Sequence, residues 1–252
     1  MKPRLQNAVI DAIDPAQAGR HNGDLAASTQ RVLRGGTWKK QRIAVIIPAA
    51  ESIPSRVYLS HCSLIFPPNQ GVHRHLALGE EVGQAYSKAI EDILAHPELS
   101  QWEYLLTMEH DNAPPSDGVL KLVARMEEHP ELAAISGLYW CKGEGGGLPG
   151  GVGTPHIWGD VNDPVVNFRP QPPRPGELVE CCGLSMGFAL WRLPMFKDAR
   201  LRRPWFKTLA SKEGVGTQDL AFWGEARKYG YRCAVDCGVL VGHFDSNTDM
   251  MW

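Results

Sequence analysis

At 252 residues with 43% hydrophobic content, the chain can bury one substantial core, and one domain with insertions is expected. A formal net charge of −2 excludes a global pull toward nucleic acid or an acidic membrane surface, leaving local patches only. No apolar run approaches the roughly 18 residues of a membrane helix, and no signal-like apolar core stands near the N-terminus, so a soluble, cytoplasmic protein without membrane insertion is expected.

Residues 1–41 are poor in aromatics and broken by Gly19, Gly23, Gly35 and Gly36, which suggests an N-terminal extension with one or two short helices around Leu25 to Leu33. Arg42 to Pro48 is a β-branched run bounded by charge and proline, the pattern of a buried parallel strand. A helix is expected from Ser55 to Ile65, stopped by Pro67-Pro68, and His73, Arg74 and His75 then read as a solvated loop. Gly79 to Leu94 gives a second helix, with Val82, Ala85, Ala89, Ile90 and Ile93 on one face.

An apolar strand from Tyr104 ends in Glu109-His110-Asp111-Asn112, and Pro114-Pro115 forbid its continuation. In an open α/β sheet the carboxyl end of a strand faces the ligand crevice, so two carboxylates and an imidazole there suit a hard cation and its phosphate. The same residues also make an ordinary polar turn. Ser116 is expected to cap a helix carrying Val119, Leu122, Val123 and Met126 at helical spacing, ended by Pro130. Leu132 to Tyr139 is another strand, and the alternation of strand and helix argues for a parallel α/β sheet.

Residues 143–178 change character, with Gly145-Gly146-Gly147, Gly150-Gly151 and a proline run ending at Pro175. A segment this long without periodicity is a loop insertion, expected near the substrates. Val179 to Trp191 reads as one apolar strand interrupted by Gly183 and Gly187, where a ligand or another backbone approaches closely. Arg200, Arg202, Arg203 and Lys207 surround Pro204-Trp205-Phe206. Such a segment grips a phosphorylated or sugar-bearing acceptor, or is a solvated loop with an aromatic anchor. Thr217 opens a helix over Gln218 to Lys228 that stops at Gly230. Short strands follow at Tyr231 to Val235 and Val239 to Val241, then Gly242-His243-Phe244-Asp245. The six cysteines form no Cys-x-x-Cys pair and suggest reduced, mostly buried thiols.

Taken in order, a strand ending in Pro48, the acidic triplet Glu109-His110-Asp111, the glycine-interrupted strand to Trp191, Pro204-Trp205-Phe206, Gln218-Asp219 and the Gly230 to His243 ending resemble a GT-A-fold glycosyltransferase. The likeness is to family 2-like inverting members and spans residues 42–245. It implies an α/β GT-A fold with a mainly parallel central sheet flanked by helices, and a catalytic domain over 42–252. The implied activity is metal-dependent transfer of a sugar, hexosyl by class, from a nucleotide-diphosphate sugar to an acceptor hydroxyl.

The resemblance also implies roles. Glu109-His110-Asp111 takes the place of the Asp-x-Asp motif that holds Mn²⁺ or Mg²⁺ against the donor diphosphate, with Asp111 as direct ligand. Glu109 is either a second ligand or a contact to the ribose or a metal-bound water. His243 matches a further metal ligand, and an imidazole with a carboxylate suits Mn²⁺ better than Ca²⁺. Asp219 matches the general base that takes the acceptor's proton, although negative charge in a first helical turn is favourable by itself. Gln218 stands where the family usually has glutamate, and Tyr86 where it often has arginine. Pro48, Ala49 and Glu51 match the donor's walls, with Arg74 and His110 beside its diphosphate. Gly187, Trp205, Phe206 and Gln218 are expected to line the acceptor, a saccharide, a protein or a modified DNA base. The alternatives are a nucleotidyltransferase of the same fold and a non-catalytic nucleotide- or sugar-binding module.

Overall fold

A computed structural model describes residues 40–49, 52–68, 70–141, 153–211 and 214–252. The expectations for residues 1–39 and for Glu51 lie outside the described residues, as does the first part of the Gly/Pro-rich insertion. Gln41–Trp252 forms one compact unit.

Its strands are β1 (Ile43–Ala49), β2 (Val72–Leu78), β3 (Tyr104–Met108), β4 (Asn112–Ala113), β5 (Ala134–Leu138), β6 (Trp140–Cys141), β7 (Thr154–Pro155), β8 (Leu178–Cys181), β9 (Phe188–Arg192), β10 (Leu209–Ser211), β11 (Gly214–Gly216), β12 (Cys233–Leu240), β13 (Gly242–Asp245) and β14 (Met250–Met251). The α-helices are α1 (Ser55–Ser63), α2 (Val82–Ala95), α3 (Gly118–Glu128) and α4 (Gln218–Ala226). The central sheet runs β2-β1-β3-β9-β5-β12-β8. Strands β2, β1, β3, β5 and β12 point one way, and β9 and β8 the other.

All seven residues of β1 are buried, which is why its sequence is a continuous apolar run rather than an alternating one. Successive side chains leave a strand on opposite faces. Ala44 and Ile46 accordingly join Tyr86, Ala89, Ile90 and Ile93 of α2 in one core, while Ile43 and Val45 join Val119, Leu122, Val123 and Met126 of α3 in the other. Trp191 anchors the first core. Its ring stacks on Trp223 at 5.4 Å and meets Phe196, Phe206 and Phe222 at 5.8–6.1 Å, while its Nε1 donates to Thr107 Oγ1 at 3.0 Å. Among the described residues no helix is long and apolar enough to cross a membrane. Four of the cysteines are buried, Cys62 is exposed, and none is bonded to another.

Several sequence expectations are corrected. His73, Arg74 and His75 lie on β2, a sheet-edge strand; paired on one side only, it alternates half-buried and exposed residues and lacks an apolar signature. The second helix begins at Val82, because Gly79 adopts a left-handed φ of 72° and Glu81 caps the helix by accepting from Gln84 N at 3.0 Å. Ser116 is not a cap; α3 follows Asp117, whose carboxylate pairs with Lys121 at 2.9 Å instead. The stretch Val179 to Trp191 is two strands, with β8 at the edge and β9 in the middle of the sheet. The strands expected at Tyr231 to Val235 and Val239 to Val241 are one, β12, with a register shift between Asp236 and Leu240.

Candidate functional site

The parallel strands β1, β3 and β5 end at the same edge of the sheet, and the site is built there. After β3 the chain turns through Glu109-His110-Asp111, with Asn112 N donating to Glu109 O at 3.2 Å. β4 then pairs antiparallel with β13, placing His243 opposite Asn112, and Phe244 N donates to Asp111 O at 2.8 Å. This register sets His243 Nε2 3.4 Å from Asp111 Oδ2, while His243 Nδ1 lies 3.0 Å from Trp140 O.

A ring that donates from Nδ1 to a carbonyl presents the Nε2 lone pair to its other neighbour, here a carboxylate. That contact is favourable only if Nε2 carries a proton or a cation lies between the two. Without a cation the ring is protonated: burial opposes its charge, but the Asp111 bond and the nearby Cys141 outweigh burial and raise the imidazole to about 10. For Asp111 burial works upward, and the His243 bond prevails to hold the carboxyl below its ordinary value. Asp111 Oδ1 is buried without any hydrogen-bond partner. An orphaned carboxylate oxygen beside an imidazole already tied at its far nitrogen fits a divalent cation of N/O preference. Among the described residues no group of three His, Cys, Asp or Glu side chains that could hold a metal ion gathers, and those that meet here are Asp111 and His243.

A cleft of about 200 Å³ opens beside this pair, lined by Pro48, Ala49, Glu80, Val82, Glu109, His110 and Asp111. Pro48, Ala49, Glu109, His110 and Asp111 are therefore brought together as the sequence suggested. Glu109 is raised to about 8, first by burial and then by the charges of Asp111 and Asp219, so in the metal-free protein it is a neutral acid at pH 7. Arg74 does not join them. On β2 its guanidinium lies over the Phe66 ring at 4.9 Å, and it is absent from the cleft lining. Glu80, which the sequence reading passed over, lines the cleft and pairs with Lys88 at 2.6 Å.

Asp219 occupies the first turn of α4 and is 7% exposed. Leu220 N donates to its Oδ1 at 2.8 Å, and the Thr217 and Ser185 side chains nearby act to lower its carboxyl. Burial nevertheless wins and raises its carboxyl, which makes it a stronger base than a free aspartate. Ser185 Oγ in turn lies 2.8 Å from His156 Nδ1 and 2.9 Å from Trp158 Nε1. The His156 ring packs on Tyr139 at 4.4 Å, and Tyr139 lies 5.8 Å from the His243 ring. Tyr139, His156, Trp158 and Ser185 were all missed from sequence. Tyr139 alone left a signal, as the residue at the carboxyl end of a parallel strand.

The residues expected on the acceptor side divide. Trp205 and Phe206 are 4% and 1% exposed and pack in the Trp191 core, so their rings present no surface to an acceptor. Gly187 is explained without a ligand: a methyl group there would lie 2.6 Å from Asn112 Oδ1 and 2.7 Å from the Tyr139 hydroxyl. Its backbone N–H donates to that hydroxyl at 3.1 Å. Gln218, next to Asp219, packs toward Gly83 at the start of α2.

No family model and no curated protein matches the sequence. Solved structures do match in shape. A197 from STIV superposes with a TM-score of 0.55 at 15% identity, over 83% of this chain and 92% of that one. GalNAc-T7, determined with UDP, GalNAc and Mn²⁺, gives 0.54 at 13% identity over 81% of this chain and 44% of its own, so the present chain spans less than half of it. TarS residues 1–349 from S. aureus gives 0.44 at 14% identity, over 77% and 57%. The chain therefore has an α/β fold with a large, mostly parallel sheet, shared with A197 and GalNAc-T7.

Proposed function

We propose that residues 42–252 form a GT-A-type catalytic domain that moves a hexosyl group from a nucleotide-diphosphate sugar to an acceptor hydroxyl, with inversion. The observation that carries this reading is the Asp111–His243 pair, with its orphaned carboxylate oxygen, at the mouth of a cleft shared with Glu109 and close to a second, buried acid. That a protein of similar fold was determined with UDP, GalNAc and Mn²⁺ supports the choice of donor and metal.

In this proposal Asp111 and His243 hold Mn²⁺ or Mg²⁺, which when bound neutralises charge on the departing nucleoside diphosphate. Pro48 and Ala49 wall the nucleoside, and Glu109 and His110 lie along the diphosphate side of the cleft. Asp219 accepts the proton of the acceptor hydroxyl as its oxygen attacks the anomeric carbon, and Gln218 borders that acceptor. A neutral hydroxyl needs such help, and a buried carboxylate with raised proton affinity supplies it.

The test is product analysis with Mn²⁺ and with EDTA, offering UDP-, GDP- and TDP-sugars and, separately, nucleoside triphosphates. Mn²⁺-dependent release of a nucleoside diphosphate is the expected result. Pyrophosphate release from a triphosphate would instead establish a nucleotidyltransferase, and binding without turnover a non-catalytic module.

A further inference from the structure

His243 reaches Asp111 from β13, the middle strand of a three-stranded sheet ordered β14-β13-β4. On one side Phe244 N donates to Asp111 O at 2.8 Å, beside the pairing with β4. On the other, His243 N donates to Trp252 O at 3.0 Å and Trp252 N to His243 O at 2.9 Å, while Phe244 and Asp245 stand opposite Met251 and Met250 of β14. Both main-chain groups of His243 are therefore held by one residue, Trp252. Without β14, β13 would be an edge strand, with alternate N–H and C=O groups presented to water.

The return of β14 is set by a turn. Asp245 Oδ1 accepts from Asn247 N at 2.9 Å, Oδ2 from the Thr248 hydroxyl at 2.9 Å, and Asp245 O from Thr248 N at 3.3 Å. An aspartate that bonds the backbone two residues on closes such a turn with its own side chain. Asp249 then takes a left-handed φ of 52°, which aspartate tolerates better than most residues, and the chain re-enters the sheet at Met250. Arg56 of α1 lies 3.7 Å from the Asp249 carboxylate and 6.0 Å from the centre of the Phe244 ring, joining the hairpin to the neighbouring helix.

We infer that Asp245 and Trp252 are positioning residues for His243. The Asp245 turn fixes the register in which Trp252 grips the His243 main chain, and that register sets the imidazole between Trp140 O and the Asp111 carboxylate. The inference rests on His243 being a ligand of the cation in the proposed transfer. A ligand on a frayed strand is competent only part of the time, and the apparent metal affinity falls by that fraction. Asp219, on α4, is left untouched.

The experiment compares wild type with Asp245→Ala, with Asp245→Asn, which keeps an acceptor oxygen for the turn, and with Trp252→Pro, which removes the N–H donated to His243. The diphosphate that wild type binds, UDP, GDP or TDP, is titrated calorimetrically in Mn²⁺. Its affinity is expected to fall roughly 10-fold in Asp245→Ala and Trp252→Pro, the lower end of the loss caused by removing an outer partner of a metal ligand, and to stay within about twofold in Asp245→Asn. Turnover at saturating Mn²⁺ and donor is expected to stay within about twofold in all of them, since saturation restores the competent state. Amide exchange without metal should accelerate at His243 in the two weakened variants but not in β1 and β3, which separates local fraying from global unfolding. Unchanged affinity despite faster exchange, or exchange at His243 as slow as in wild type, would overturn the inference. Should wild type bind no nucleoside diphosphate, the cation reading fails instead. Crystal structures of the variants then decide, and a His243 ring unmoved between Trp140 and Asp111 would overturn the positioning role by itself.

Discussion

At the end of β3, Asp111 shares its carboxylate with the His243 imidazole and keeps one buried oxygen without a partner. At the start of α4, Asp219 accepts a backbone N–H from Leu220 in a drier setting. The same side chain is driven in opposite directions: the His243 bond holds Asp111 below its ordinary value, whereas burial lifts Asp219 above it. An acid kept ionised with one oxygen unpartnered is suited to holding a cation, and an acid with raised proton affinity to taking a proton. Environment, rather than residue type, separates the two acids.

The contrast breaks most visibly at Asp219, the base of the proposed transfer. Asp219→Asn keeps the shape and the hydrogen-bond partners but cannot accept the acceptor's proton, so turnover should fall on the order of 10²- to 10⁴-fold. Nucleoside diphosphate affinity in Mn²⁺ should change little, and steady-state kinetics with parallel calorimetry would expose any mixing of the two roles. At the other corner, His243→Gln removes the imidazole while leaving Asp219 untouched. Mn²⁺-dependent nucleotide affinity should drop roughly 10- to 100-fold, the size of effect seen when a metal site is perturbed.

A core variant sharpens the comparison by affecting neither corner selectively. Thr107→Val leaves Trp191 Nε1 buried without an acceptor, at a cost of about 1–3 kcal/mol in a denaturant titration. The ratio of turnover to binding should be preserved. At neutral pH no loss is expected from His156, which is pushed down to about 3, mainly by burial and further by the His243 charge, and its effect appears only on acidification. The folded protein holds this ring neutral, whereas the unfolded chain protonates it near the ordinary value of 6.5. Its contribution is therefore intact above pH 6.5 and is lost as pH falls toward 3, at no more than about 1.4 kcal/mol per pH unit. His156→Gln should flatten the wild-type loss of stability between pH 6.5 and 4.5; an unaltered slope would place the acid sensitivity elsewhere.

What was legible in the sequence follows the same division. β1, β3 and β5 are buried on both faces, so their apolar runs announce them, and the turn at Glu109 to Asp111 follows from where β3 must end. β2 was not legible because an edge strand has only one side to satisfy, and His73, Arg74 and His75 resemble a loop. The glycines at 183 and 187 were read as places where a ligand or another backbone comes close, with Gly187 on the acceptor side, yet they admit side chains, Phe168 and Leu220 at one position and Asn112 and Tyr139 at the other. Trp205 and Phe206 sit among basic residues in the chain but pack inward, a fact that linear order hides. Ser185, His156 and Trp158 meet only because the insertion returns to Gly183, and no spacing rule encodes that return.

The division between the two acids is tested most directly by calorimetric titration of UDP, GDP and TDP, each with Mn²⁺ and with EDTA, into wild type, Asp111→Ala and Asp219→Asn. The account predicts that one diphosphate binds wild type and Asp219→Asn alike in Mn²⁺, and that binding vanishes in Asp111→Ala and in EDTA. Equal binding by Asp111→Ala, or binding indifferent to EDTA, would contradict it.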